Sequence, residues 1–128
     1  MKKILLIEDD KWFADSLVSS LSQDFEVRIC SDLEKFFDTI ENFTPDLLLV
    51  DVILGTKNIF VLLNELQSHI DVRMIKVVIL TSSAKQIKLR DVANFNVKEV
   101  LDKAKIEPKT LRKTLHEIIE SDKKEKLA

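Results

Sequence analysis

Cysteine, glycine and aromatic side chains are scarce in this chain: it has one cysteine, one glycine, one tryptophan and no tyrosine in 128 residues. A lone cysteine cannot close an internal disulfide, so nothing argues for an oxidising compartment. Cys30, within FEVRIC, reads as a small buried hydrophobe. No apolar run approaches the roughly 18 residues needed to span a bilayer, and MKKILLIEDD meets acids too early for a secretory signal. The expectation is a cytoplasmic protein without membrane contact. Charge of one sign is lacking too: 20 basic against 22 acidic residues leave a net charge of −2. Without a basic excess, no direct nucleic acid contact by this segment is expected. What is present is apolar side chain, 45% of the residues, enough for one compact domain with a single core.

That apolar content is organised by alternating periods. Runs rich in Ile, Val and Leu at Lys3 to Ile7, Phe25 to Cys30, Asp46 to Val50, Lys76 to Leu80 and Val97 to Leu101 fit strands. Helical spacing fills the intervals. Phe13, Leu17 and Leu21 repeat every four residues, as do Leu33, Phe37 and Glu41 less purely. Phe60, Leu63 and Leu66 mark a third helix, and Leu111, Leu115, Ile118 and Ile119 the last. Ser31 with Glu34 forms a capping-box pattern, Asn58 suits an N-cap, and Pro108 sits where a first helical residue would. Strand and helix alternate five times, which predicts an α/β fold: a parallel sheet, doubly wound, with right-handed crossover helices on both faces. Asp46 apart, ILLI and DLLLV are apolar throughout, as central strands covered on both sides must be.

In such folds chemistry gathers at the carboxyl ends of the strands. There stand Glu8, Asp9 and Asp10 after the first strand, Asp51 after the third, Thr81, Ser82 and Ser83 after the fourth, and Asp102 and Lys103 after the fifth. Separated segments thus deliver carboxylates, hydroxyls and an amine to one rim. Crowded carboxylates repel, by about 4 kcal/mol for unit charges 4 Å apart at an effective dielectric near 20, and a divalent cation removes the conflict. Oxygen ligands with no His or Cys beside them suit Mg²⁺. An aspartate next to such a cation can attack phosphorus, with a hydroxyl and an ammonium holding the other phosphoryl oxygens. Thr81 and Lys103 fit those roles.

The acid pair in LLIEDD, the lone acid in LLLVDVIL, the threonine in VVILTSSA and the lysine in VLDKAKI together resemble the receiver domain of bacterial two-component response regulators. The order and spacing agree: 42 residues from Asp9 to Asp51, 30 from Asp51 to Thr81 and 52 from Asp51 to Lys103. The likeness runs from Lys2 to about Glu120. It implies a flavodoxin-like, CheY-like fold of five parallel strands in the order 2-1-3-4-5 with five helices, with residues 1–120 as the receiver and 121–128 as a charged helix end or the start of a linker. It also implies that Asp51 accepts a phosphoryl group from the phosphohistidine of a sensor histidine kinase or phosphotransfer protein. Mg²⁺ (or Mn²⁺) would be held by Asp9, Asp51 and the backbone carbonyl of Ile53, with Glu8 acting through water. Thr81 would bond a phosphoryl oxygen and shift on activation, and Lys103 would pair with the phosphate. The domain would not be an enzyme beyond transferring the group to itself and losing it slowly. Asp10, outside the metal pair, is expected to cap the first helix.

Several residues depart from the family pattern. Ala104 replaces the proline that ordinarily follows the lysine in a cis peptide; a cis bond before a non-proline residue costs about 3 kcal/mol, so a loop rebuilt in trans, or a strained Ala104, is expected. Val100 stands where relatives carry the Tyr or Phe that turns inward as the threonine moves. After Asp51 the chain lacks the usual proline and reads Gly55 followed by TKN. Ile53 cannot orient a hydrolytic water and Ser83 could do so only weakly, which predicts a slowly decaying phosphoryl state. Trp12, offset from the core stripe, is expected to flank the acidic crevice partly exposed, or else to pack.

Two other classes compete. A haloacid dehalogenase-like phosphatase needs a second aspartate two residues after the nucleophile, and here that position is Ile53. A pseudo-receiver, a binding module working without phosphate, is favoured by Val100, Ala104 and the altered loop, and opposed by the intact Glu8, Asp9, Asp51, Thr81 and Lys103. A homodimer or output partner would use the face made by the fourth helix, fifth strand and fifth helix, where Lys85, Lys88, Arg90, Glu99 and Arg112 are expected.

Overall fold

The computed structural model describes residues 1–31, 33–51, 53–54, 57–69, 72–82 and 87–127. Five parallel strands form the central sheet: β1 (Lys3–Ile7), β2 (Glu26–Cys30), β3 (Leu47–Asp51), β6 (Lys76–Thr81) and β7 (Val97–Asp102). Their spatial order, β2-β1-β3-β6-β7, is the 2-1-3-4-5 arrangement expected of the five parallel strands. The helices are α1 (Lys11–Leu21), α2 (Phe36–Phe43), α3 (Ile59–Gln67), a four-residue α4 (Leu89–Val92) and α5 (Pro108–Leu127).

Successive residues of a strand point to opposite faces, and this period divides the core in two. Leu5, Ile7, Leu48, Val50, Val77 and Ile79 face one layer, with Phe36, Ile40 and Phe43 of α2 and Leu62, Leu63 and Leu66 of α3. Ile4, Leu6, Leu47, Leu49, Val78 and Leu80 face the other, with Ala14, Leu17 and Leu21 of α1 and Leu111 and Leu115 of α5. Burial on both sides explains why β1, β3 and β6 carry unbroken apolar runs, with charge only at their ends, in Lys3, Asp51 and Lys76. Cys30 is buried, as its surroundings implied.

Three local features differ from the sequence reading. The stretch after Ser31 forms a 3₁₀ turn over Leu33–Lys35, and α2 starts only at Phe36, with Lys35 at its N-cap making no side-chain capping bond. The capping-box pattern therefore heads a tighter turn rather than the helix itself. Between β3 and α3 a short antiparallel pair appears, β4 (Ile53–Leu54) with β5 (Lys57–Asn58), in the register Leu54 to Lys57. Two intervening residues led by a glycine are a hairpin signal that the run GTKN carried. Finally, Arg112 does not join the α4–β7–α5 face. Its Nη1 donates to Ser20 Oγ at 2.9 Å and its Nε lies 3.9 Å from Asp24, binding α5 to the end of α1. His116, one turn further on, meets the same Asp24 carboxylate at 3.0 Å. Of the other charges expected there, Lys88 and Arg90 are exposed, Glu99 is half-buried, and Lys85 lies outside the described residues.

Candidate functional site

Strand pairing builds the site. Ile7 is in register with Val50 and Asp51 with Leu80, so the first residue beyond β1 and the last of β3 stand side by side. Thr81 is paired with Asp102, and its carbonyl accepts the Lys103 backbone N–H at 2.8 Å, which brings the end of β6 against the turn after β7. Glu8, Asp51, Thr81 and Lys103 are thus placed by the sheet, not by flexible loops.

The carboxylates converge. One oxygen each from Glu8, Asp9 and Asp51 lies within 4.8 Å of the others, with Glu8 buried, Asp51 half-buried and Asp9 exposed. Both oxygens of Glu8 are engaged: Oε1 accepts the Asp10 backbone N–H at 3.0 Å, and Oε2 accepts the Lys103 ammonium at 3.0 Å. The same ammonium reaches Asp51 Oδ2 at 3.4 Å and sits 4.0 Å from the centre of the Phe13 ring, a cation–π arrangement. One positive charge is therefore shared between two carboxylates and supported by an aromatic face.

The electrostatics follow from this crowding. Burial, reinforced by the Asp51 charge, pushes the Glu8 carboxyl above its ordinary value of 4.5 despite the bonds from Asp10 and Lys103. Burial acts to lower the Lys103 ammonium, but its hydrogen bond to Glu8 and the charges of Asp51 and Glu8 outweigh that and hold it above its ordinary 10.5. The carboxylates hold more negative charge than one ammonium can balance. An all-oxygen donor set with a charge deficit suits a hard divalent cation such as Mg²⁺, which takes carboxylates and retains water.

The surroundings of the expected residues are mostly as read. Asp10 is the N-cap of α1, its Oδ1 accepting the Phe13 N–H at 3.2 Å, which separates it from the acidic cluster by role. Ile53 lies in β4, paired with Asn58, and Ser83 lies outside the described residues. No cis peptide occurs among the described residues, so Lys103–Ala104 is trans. Asp102 closes the turn: its Oδ1 accepts the Ala104 N–H at 2.9 Å and its carbonyl those of Lys105 and Ile106 at 3.1 and 3.0 Å. Val100 is half-buried and packs on the core layer of Phe36 and Ile79. Trp12 is 89% exposed, so it does not pack. The sequence reading missed Phe13 as the seat of Lys103; its only signal was an aromatic four residues after Asp9. A groove of about 430 Å³ lined by Gln67, Arg73, Met74, Ala93, Asn94 and Asn96 lies at the opposite, amino-terminal end of β6 and β7 and shares no residue with the acidic rim.

The family model described as the response regulator receiver domain matches residues 4–116, a span containing every one of these rim residues. The chain belongs to that family. Solved structures agree on the fold of this receiver domain. The N-terminal domain of NsrR, a lantibiotic response regulator of nisin resistance, is 25% identical with a TM-score of 0.80, covering 93% of this chain and 98% of that one. A CheY-like receiver domain protein from Methanospirillum hungatei JF-1 is 24% identical with a TM-score of 0.80, covering 98% of both chains. The Mn²⁺-bound form of the response regulator Rcp1 is 26% identical with a TM-score of 0.66, covering 94% and 93%. Receiver domains act in two-component signalling and are not enzymes in the ordinary sense. Among the described residues no helix is long and apolar enough to cross a membrane.

Proposed function

We propose that this receiver domain accepts a phosphoryl group on Asp51 from the phosphohistidine of a sensor histidine kinase or phosphotransfer protein and signals through the resulting change in shape. The observation that carries the reading is the convergence of Glu8, Asp9 and Asp51 within 4.8 Å, with Lys103 bridging Glu8 and Asp51. Asp9, Asp51 and the Ile53 carbonyl would hold Mg²⁺ (or Mn²⁺), with Glu8 behind them through water; that the similar response regulator Rcp1 has a Mn²⁺-bound form supports a divalent ion in this reading. When bound, the ion screens the incoming phosphoryl oxygens from the carboxylates.

The chain's own groups do the rest. An oxygen of Asp51 attacks phosphorus in line as the P–N bond to the donor imidazole breaks, and the imidazole leaves with that electron pair. Asp51 lies at a strand end with its side chain 14% exposed, reachable yet held by β3. Lys103 already touches Asp51, so it can pass from carboxylate to phosphoryl oxygen without a long excursion. Thr81, 2% exposed at the end of β6, would donate its hydroxyl to another of those oxygens. The apolar Ile53, two residues from the acceptor, supplies no group to position a hydrolytic water, which favours slow loss of the phosphoryl group.

Incubation with acetyl phosphate and Mg²⁺, followed by intact mass, tests the proposal. One added phosphoryl group is expected, absent when EDTA replaces Mg²⁺. No addition to folded protein at any Mg²⁺ concentration overturns it in favour of a phosphate-independent binding module.

A further inference from the structure

Lys76 is the first residue of β6, at the pole of the sheet opposite the acidic rim, and only 7% of it is exposed. A buried ammonium needs several acceptors, and α5 provides them. Lys76 Nζ donates to the Ile118 carbonyl at 2.7 Å, to the Ile119 carbonyl at 3.1 Å and to Ser121 Oγ at 3.3 Å. Ser121 Oγ in turn donates to the Ile118 carbonyl at 2.8 Å, so the hydroxyl and the ammonium form one cluster.

The position of this cluster along α5 matters. Leu111 and Leu115 are buried, Ile118 and Ile119 are half-buried against the same layer, and the sequence then runs ESDKKEKL, without an apolar residue until Leu127. Apolar side chains packed against the sheet thus run out at Ile119, about two turns before the helix ends at Leu127. Where it ends, a fixed positive charge faces helix carbonyls, the arrangement favoured at a helix C-terminus. Those carbonyls belong to a helix that continues to Leu127, so the charge closes the packed part of α5 while the backbone runs on.

We propose that Lys76 is a clasp that fixes the C-terminal limit of the packed part of α5 at Ser121 and leaves the turns beyond it as a separately opening extension. Lys76 is a positioning residue for that extension and takes no part in the chemistry at Asp51. Because β6 carries the clasp at one end and Thr81 at the other, the strand that holds the base of the extension is the same one that ends in the site.

Amide hydrogen exchange of the whole chain, read by mass spectrometry, tests this. In Lys76→Met, peptides covering residues 117–123 should exchange about tenfold faster, while those covering 108–115 and β1 to β3 stay as protected as in the parent. Lys76→Arg, which keeps the charge, should retain most of the protection. Ser121→Ala removes only the hydroxyl and should loosen the same peptides by a smaller factor, which keeps the test decisive if Lys76→Met does not fold. Unchanged exchange at 117–123 in these variants overturns the proposal, as does uniform loosening of α5 and the sheet, which would make Lys76 an ordinary packing residue.

Discussion

Lys103 and Lys76 occupy opposite ends of the same sheet, both largely withdrawn from solvent, and they are stabilised in different ways. Lys103 faces Glu8 and Asp51 and rests on the Phe13 ring. Lys76 donates to backbone and hydroxyl oxygens of α5, two helix carbonyls and a serine. The carboxylates around Lys103 could be balanced by another cation, so its contacts are exchangeable. The carbonyls around Lys76 belong to the fold and have no such substitute. The same side chain is chemistry at one pole and construction at the other: one faces the acids of the rim, the other holds the backbone of α5.

The sharpest way to break that comparison is to remove each ammonium in turn and follow unfolding with and without Mg²⁺. Lys103→Met leaves Glu8 and Asp51 facing each other uncompensated and should cost about 3 kcal/mol in EDTA. Millimolar Mg²⁺ should recover much of that loss, and by more than it stabilises the parent. Lys76→Met should cost about 2 kcal/mol, from the charged hydrogen bonds to α5 that are lost, with the same loss in EDTA and in Mg²⁺. Equal Mg²⁺ responses in the two variants would erase the distinction.

A smaller effect of opposite sign is expected at Glu8. An acid whose folded pKa is raised contributes stability only below its unfolded value, and that contribution is lost as pH rises through the folded value. Charged Glu8 therefore costs stability at neutral pH. Glu8→Gln removes that charge and keeps one carbonyl acceptor, for either the Asp10 N–H or Lys103; it should raise the melting temperature in EDTA by about 2–4 °C, and should weaken Mg²⁺ binding. A lower melting temperature would contradict this. Lys103, raised as a base, contributes stability that is full below its unfolded value of 10.5 and lost as pH rises through the higher folded value. Alkaline unfolding above pH 10.5 should thus be shallower in Lys103→Met than in the parent. The least effect is expected at Trp12: with its indole in solvent, Trp12→Ala should alter stability by no more than about 0.5 kcal/mol, and acrylamide should quench its fluorescence nearly as in free tryptophan. A shielded indole would place it in a contact.

Much of this was legible in the residues because period and spacing are local signals. The alternation of β1, β3 and β6 with helical stripes carried the layering, and the rim acids could be placed from the rule that strand ends hold the chemistry. Asp10 as a cap and Pro108 as a first helical residue were visible for the same local reason. What escaped depended on contacts far apart in the chain. Lys76 read as the start of a strand, since nothing near it tells of carbonyls 42 residues away. Arg112 read as part of the α4–β7–α5 face because helical phase alone does not say that Asp24 waits in the turn after α1. Trp12 is expected partly exposed or packed and stands 89% exposed, because the residues on either side of it, Lys11 and Phe13, fix the phase of the helix but not how far its first turn stands from the sheet.

The central claim is that Asp51, alone among the clustered acids, is the acceptor. After treatment with acetyl phosphate and Mg²⁺, borohydride reduction converts an acyl phosphate to the alcohol, and peptide mass mapping then reads its position directly. Conversion of Asp51 to homoserine, with Glu8 and Asp9 unchanged, is the predicted result. Modification at Glu8 or Asp9, or at no carboxylate in protein that binds Mg²⁺, would contradict it.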